Sequence, residues 1–468
     1  MNKQNINTAE DTARGTNSKK IALLVTAISS FLTPFMGSSI NIGLPAIGNK
    51  FSMDAVTLSW VATSYLLSAA VFLVPIGRIA DIYGRKKVFL IGILVYTISS
   101  LLCGAAFSAS FLIFSRMLQG IGSAMIFGTG IAILTSVYPV GERGKALGIN
   151  VATTYLGLSM GPFLGGFLTQ QLGWRSLFYA NVPVGILVLL LVTWKLKGEW
   201  AEARGEKFDI LGSAVFSLTL ISLMYGFTLL PSYNGTALIL AGIMGFISFV
   251  KWENRIRNPI LNMALFRHNT VFAFSNLAAL INYSATFAIT FLLSLYLQYV
   301  KSLSPQNTGL ILVVQPAIMA LVSPFAGRLS DRIEPRILAS AGMALLVVGL
   351  LVLLFIGHNT SLLYITGALV LLGLGFGLFS SPNTNAVMSS VEKKLYGIAS
   401  ATLATMRLTG QMLSMAISIM VFSVYIGKVR ITPEYYGLFL SSMHVLFIIF
   451  IILCLGGIFA SLARGKVR

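Results

Sequence analysis

Acid is what this chain has least of. Of its 468 residues 10% are charged, and only 14 are Asp or Glu against 33 Lys or Arg, where an ordinary globular chain is roughly 25% charged. So few charges cannot clothe a soluble surface of this size. Cysteine is nearly absent too: Cys103 and Cys454 both sit in apolar runs, which excludes a disulfide framework and a cysteine metal site. The three histidines, His268, His358 and His444, stand far apart. With no clustered His, Asp and Glu set, neither an enzyme nor a metal site is expected, and no cofactor. No G-x-x-x-x-G-K-[ST] loop occurs, which excludes ATP-driven pumping by this chain alone.

What is present is apolar: 56% of residues are hydrophobic and the mean hydropathy is +0.85. The runs are about 20 residues or longer, enough for a helix to cross roughly 30 Å of hydrocarbon, and they lack the ten-residue alternation of a membrane β-barrel. Length and turn signals predict fourteen spans, at 21–44, 56–76, 88–107, 110–137, 145–169, 175–195, 208–229, 235–251, 270–299, 306–326, 337–357, 361–388, 396–425 and 438–462. The expected class is an all-α polytopic membrane protein. Residues 1–20 are polar and are expected to form a disordered tail, with no cleavable signal peptide.

The net charge of +19 falls in short loops rather than along one face, so it indicates topology and not nucleic acid. One set of loops, with both tails, holds 26 Lys and Arg, including Lys19, Lys20, Lys87, Arg143, Arg204, Arg255 and Arg464. The opposite set holds five, Lys50, Arg175, Lys301, Lys428 and Arg430, and two more, Arg116 and Arg407, lie inside spans. The positive-inside bias then puts both termini in the cytoplasm and the chain in the cytoplasmic or inner membrane.

The chain is also built twice. GRIADIYGRKK (Gly77 to Lys87) returns as GRLSDRIEPR (Gly327 to Arg336). The first copy follows span 2 and the second follows span 10, where a plain six-plus-six duplication would place it after span 8. Spans 7 and 8 are therefore read as an insertion. The expected organisation is a tail at 1–20, a six-helix bundle at 21–200, inserted helices with their flanks at 201–269 and a second bundle at 270–468. The stretch Pro259 to Arg267 is short and amphipathic and is expected along the inner surface. Duplicated halves in a membrane are the mark of a secondary transporter.

Within the repeated loop, Gly77 and Gly84 allow a tight turn and close helix approach, Asp81 suits a helix N-terminus or an arginine, and Arg85 suits a carboxylate or the last carbonyls of a helix. With Lys86 and the second copy's Asp331 and Arg332, these residues are expected to latch the two halves; the alternative is a basic loop that only sets topology. In span 4, Arg116 is followed at i+3 by Gln119. In span 13, Arg407 is followed at i+4 by Gln411. A cation at that depth is costly and faces the bundle interior, serving either a cavity or a structural clamp on carbonyls. Asn41, Tyr65, Asn282 and Asn383 are further candidates for a cavity wall, with Ser38, Ser39, Tyr283 and Gln315, and Phe31, Phe35, Phe127, Phe287 and Phe291 for a greasy lining; packing against other helices or lipid is the alternative for each. In span 5, Gly157, Gly161 and Gly165 form one stripe for close helix packing, and Pro162 beside Gly166 bends the helix.

These motifs together resemble the major facilitator superfamily, and within it the fourteen-span drug:proton antiporter family of the EmrB/QacA type, over nearly the whole chain. The span 2–3 loop is similar to the superfamily's loop, Gly157 to Leu168 to the antiporter signature of exporters, and Arg116 to an arginine associated with proton coupling. The resemblance implies alternating access, a small-molecule substrate, protons as the driving ion and a monomer in the bilayer, with no nucleic acid partner. Many proton-coupled members carry a carboxylate in span 1 ahead of an Asn-x-x-Leu-Pro element and another in span 2 between Trp and Tyr. Here Phe35 to Pro45 contains none, and Trp60 and Tyr65 bracket Val61, Ala62, Thr63 and Ser64. Export of amphipathic compounds coupled to protons is the expectation. A proton-independent or anion-preferring metabolite exporter is the alternative, and a non-transporting receptor or scaffold is a third reading.

Overall fold

Fourteen apolar helices, each long enough to cross a membrane, make up the computed structural model, which describes residues 2–139, 142–256, 259–261, 263–392, 395–427 and 429–465. Spans 1 to 8 are Lys19–Phe51, Ala55–Tyr83, Arg85–Gly104, Ala109–Val137, Ala146–Leu172, Ser176–Trp194, Ile210–Leu229 and Tyr233–Glu253. Spans 9 to 14 are Thr270–Val300, Pro305–Leu329, Pro335–Leu354, Leu362–Ser389, Tyr396–Tyr425 and Pro433–Ala463. Only helices can keep every backbone polar group paired across so many apolar crossings. Among the expectations above, Lys428, and Asn262 in the stretch Pro259 to Arg267, lie outside the described residues.

Several starts are set by side-chain caps. Asp54 accepts from the Thr57 amide at 2.9 Å, Ser108 from Phe111 and Ser361 from Tyr364, each satisfying an amide left over at a helix N-terminus. The fold corrects three expectations. Helix begins at Asn2, so the polar segment expected to be disordered continues the first span, seeded by the long helix that follows. Span 1 was expected to stop before Pro45, but it passes through Pro34 and Pro45 to Phe51. Gly77 was expected in a turn, but it lies inside the span 2 helix and a Cβ there would meet nothing within 4 Å. The turn belongs to Gly84 alone, whose φ of 121° is open to glycine but strained for other residues.

The duplication is visible in the packing. Span 1 lies against span 5 and span 9 against span 13; span 2 against span 4 and span 10 against span 12; span 3 against span 6 and span 11 against span 14. The halves meet through spans 5 and 10, 2 and 13, and 1 and 9. Of the inserted pair, span 7 packs on spans 2 and 13 at once, where Phe216, Leu220 and Met224 join Val71, Val74 and Met412 in one apolar cluster. The stretch expected to lie along the inner surface is helical only over Met263–His268, and Phe266 turns inward to meet the Phe272 ring at 5.2 Å.

Candidate functional site

A cavity of about 260 Å³ lies between the halves, lined from spans 1, 2, 4 and 5 on one side and 9, 10, 12 and 13 on the other. Its wall on span 4 runs from Ser123 to Ile131, and on span 13 from Ala404 to Gln411. On both helices this is the stretch from mid-span toward the face that carries the chain termini. On the opposite face the halves are closed on each other. Ser294 donates to the Asn41 carbonyl at 2.6 Å and Gln298 to the Ile42 carbonyl at 3.0 Å. The Ala55 amide meets the Val429 carbonyl at 3.1 Å. The backbone of span 10 at Gly309 is pressed against the Pro162 carbonyl of span 5, and Gly166 against Pro305.

Proline explains part of this closure. Proline has no N–H, so it leaves the carbonyl four residues earlier without its helical partner. Pro45 frees the Asn41 carbonyl, and Ser294 from the other half takes it. Pro162 frees the Leu158 carbonyl, and Ser38 donates to it at 3.1 Å. The glycine stripe of span 5 is used as its spacing indicates: Gly157 rests on the Phe31 carbonyl, Gly161 on Ser38 and Gly165 on Ser39 of span 1. Gly166 and Pro162 turn to span 10 instead.

Of the polar candidates Arg116, Gln119, Arg407, Gln411, Asn41, Tyr65, Asn282 and Asn383, the structure brings four to the wall, Asn41, Tyr65, Arg407 and Gln411. Of the rest, Ser38, Tyr283, Gln315, Phe127 and Phe287 line it, and Ser39, Phe31, Phe35 and Phe291 are not among its lining residues. Among the described residues, Arg407 is the only charged one lining it, and no carboxylate does. Its guanidinium donates to Thr384 at 2.6 Å and stands 5.7 Å from the Tyr283 ring centre, while its Nε is buried without a partner. Tyr283 meets Phe376 edge-on at 5.2 Å. A cation beside the Tyr283 ring, with Phe376 packed on that ring, is chemistry suited to a flat, electron-rich or anionic group.

The other four candidates stand elsewhere. Arg116 is fully buried behind Tyr65, 4.4 Å from its ring, and bonds the Val61 carbonyl at 3.0 Å and Gln119 at 2.5 Å. Gln119 passes the bond on to Ser100 at 2.7 Å. This is the carbonyl clamp, set toward the closed face, and Tyr65 separates it from the cavity. Asn282 is buried next to the wall residue Tyr283, about 100° round the helix from it. Asn383 bonds the Ser275 carbonyl at 3.1 Å and accepts from Arg464 at 3.0 Å. Burial brings the Arg464 guanidinium down to about 10, still a cation at neutral pH. Sequence reasoning missed Asn150, Tyr155 and Phe376 on the wall and Thr384 behind Arg407. Only the neighbour Asn383 had been singled out.

The repeated loop is a clamp inside the first half in this conformation. Arg85 donates to Asp81 at 2.8 Å, to Ser136 at 2.6 Å and to both oxygens of Glu202 at 2.7 and 3.0 Å, while the Lys86 amide meets Glu199 at 2.8 Å. The segment after span 6 is thereby strapped beneath the loop. Its acids, Glu199, Glu202 and Glu206, were the legible signal for that partnership. In the second copy Asp331 accepts from Asn385 at 3.4 Å and Arg332 is exposed. The expectation that the loop joins the halves meets a structure in which, among the described residues, the hydrogen bonds of Arg85 and Lys86 go to spans 2 and 4 and the segment after span 6, none to the second bundle, while the halves are closed at the other face.

Arg85→Ala is expected to lower stability by about 2–4 kcal/mol, since its partners lose a buried, charge-assisted donor. Glu202→Gln should cost less than about 1 kcal/mol because its side chain is largely exposed. Thermal unfolding of the two variants in detergent would order them; equal midpoints would refute the clamp. The hydrogen bonds from Arg85 hold the Glu202 carboxyl below its usual range. Its contribution is therefore present at neutral pH and is lost only as pH falls through that lowered value.

The sequence as a whole matches the model of the Major Facilitator Superfamily over residues 26–415 and 275–466. The chain belongs to that superfamily. It is 33% identical over 403 residues to the multidrug resistance protein Stp of Mycobacterium tuberculosis, covering 85% of this chain and 74% of that one. It is 31% identical over 394 residues to the riboflavin transporter RibZ of Clostridioides difficile, covering 83% and 85%. Among solved structures, a bacterial homologue of the human lysosomal transporter Spinster, in an inward-facing, unoccupied conformation, superposes with a TM-score of 0.69. That pair is 17% identical, over 96% of this chain and 97% of the other. The major facilitator protein described here is a secondary transporter embedded in a membrane, and its cavity lies where alternating access requires it, between the two repeats.

Proposed function

We propose that this transporter exports small amphipathic compounds from the cytoplasm, and that its cavity favours neutral or anionic ones over cations. The observation that carries the reading is the wall itself: aromatic and amide groups, one arginine and no carboxylate. The names of relatives such as the multidrug resistance protein Stp and the puromycin resistance protein pur8 support export of drug-like molecules, and the riboflavin transporter RibZ supports a flat, uncharged ring system. The excess of Lys and Arg on the face with the termini supports a cytoplasmic location for that face, and the chain is read as a monomer. In the opposite conformation the loop residues Asp81, Arg85, Asp331 and Arg332 would form the closing contacts.

Protons are the driving ion in this reading, yet the cavity offers no acid to carry one. That favours a second reading, in which transport is independent of the proton gradient. Reconstitution into proteoliposomes separates the two. Under the first, uptake of a fluorescent amphipathic dye rises several-fold on imposing a pH gradient; under the second it is unchanged by the gradient. No movement of any anionic, neutral or cationic probe would overturn the transport reading of this cavity.

A further inference from the structure

The inserted helices hold a pair of buried carboxylates that the transport cavity does not use. Asp209 caps span 7, accepting the Gly212 amide at 2.9 Å and the Trp252 indole N–H at 2.9 Å. Glu253 ends span 8 and accepts the Leu261 amide at 2.9 Å through Oε2. Asp209 is 6% exposed and Glu253 3% exposed. The other Glu253 oxygen, Oε1, is buried with no hydrogen-bond partner, and it points at Asp209. A Cβ placed on Gly212 would stand 2.8 Å from Glu253 Oε1 and closer still to Asp209 Oδ2. The two oxygens are thus less than twice that distance apart.

Two carboxylates stand side by side here, Asp209 Oδ2 taking the Trp252 indole N–H and Glu253 Oε1 with no hydrogen-bond partner of its own. Ionised together they would place two like charges in a dry site, which strongly favours keeping a proton on one of them. No cation offsets them: among the described residues neither carboxylate forms a salt bridge with Lys, Arg or His. The titratable neighbour of Glu253 is Asp209. The side chains that spans 2, 7 and 13 contribute to the adjoining cluster, among them Val71, Val74, Phe216, Leu220 and Met412, are apolar.

We propose that Asp209 and Glu253 form a proton-binding site, in which one proton is shared between Asp209 Oδ2 and Glu253 Oε1 and keeps the inserted pair docked. The consequence follows from position. Span 7 touches spans 2 and 13, one from each half, and Glu253 holds the backbone of the segment leading into span 9. Loss of the proton sets two carboxylates against each other, and the insert loosens from both halves. The site therefore reports pH at the face with the termini, whatever compound the cavity carries.

Infrared difference spectra of the full chain in lipid nanodiscs test this directly, between about pH 5 and about pH 8. The wild type should show the C=O stretch of a protonated carboxylic acid that disappears as pH rises. Glu253→Gln and Asp209→Asn, which preserve shape, should each remove that band while the protein stays monodisperse. Thermal unfolding gives a second readout. Two like charges side by side disfavour the ionised fold, so wild-type stability should fall as pH rises, and Glu253→Gln should flatten that slope. A wild type without the band, a band that survives both variants, or identical pH slopes would overturn the site. A failure of transport by the same variants at every pH leaves these readouts intact, so the two proposals fall separately.

Discussion

Arg407→Gln will raise the concentration of an anionic substrate needed for half-maximal transport by about 10- to 100-fold. The estimate comes from one charge-assisted contact, about 1.5–3 kcal/mol, converted at about 1.4 kcal/mol per tenfold. The guanidinium has a free buried Nε and is the only charge on the wall, so a bound anion has no other counter-charge. A neutral compound of the same shape still has Tyr283 and Phe376 and should change by less than about threefold. A cationic analogue should gain, because the variant removes a like charge. Counterflow in proteoliposomes with a matched acid, amide and amine series would measure all three. Equal effects on the three compounds would sink the charge reading and leave Arg407 as a structural clamp. Arg407→Lys should recover part of the loss, as it keeps the charge without the planar fork.

The second large effect is conformational. Gly309→Ala places a methyl group against the Pro162 carbonyl of the other half, with the Gly166 Cα at 3.3 Å leaving no room to shift. Overpacking of this kind costs about 1–3 kcal/mol, and the cost is paid only while this face is closed. The balance should therefore move toward the opposite conformation by about 5- to 150-fold. The native cysteines Cys103 and Cys454 are both buried, so a cysteine at the wall residue Thr290 can serve as the reporter. An impermeant thiol reagent applied from the closed face should label Thr290→Cys at least tenfold faster when Gly309→Ala is present. An unchanged rate would mean that the contact between spans 5 and 10 does not set the equilibrium.

The fold was almost entirely legible from hydropathy and from one repeated loop, because a bilayer leaves a chain few alternatives to helices. The reading of spans 7 and 8 as an insertion rests on the displaced second loop copy. The site was legible in part, and the reason is geometric. Periodicity tells which face of a helix is turned inward, but not the depth at which the bundle is closed. Arg116 and Ser123 are seven residues apart and share a face; Ser123 reaches the cavity, whereas Arg116 lies two turns nearer the closed side. Asn383 and Thr384 differ by one residue, about 100° of rotation, and only Thr384 supports the cavity arginine. The Asp209–Glu253 pair was invisible for another reason: 44 positions separate the two acids in the chain, and only the folding of span 8 back along span 7 brings them together.

The carbonyl that Pro45 leaves bare has a further meaning. Proline cannot close the bond on its own helix, so when the halves part on that side and Ser294 withdraws, the Asn41 oxygen loses the donor that it has here. A carbonyl abandoned in a dry environment costs about 1–3 kcal/mol. Opening on that side must therefore coincide with the entry of water, or of a donor on the departing substrate, at one fixed atom. Release and hydration become a single event, and a substrate that brings its own N–H or O–H to Asn41 would ease its own exit.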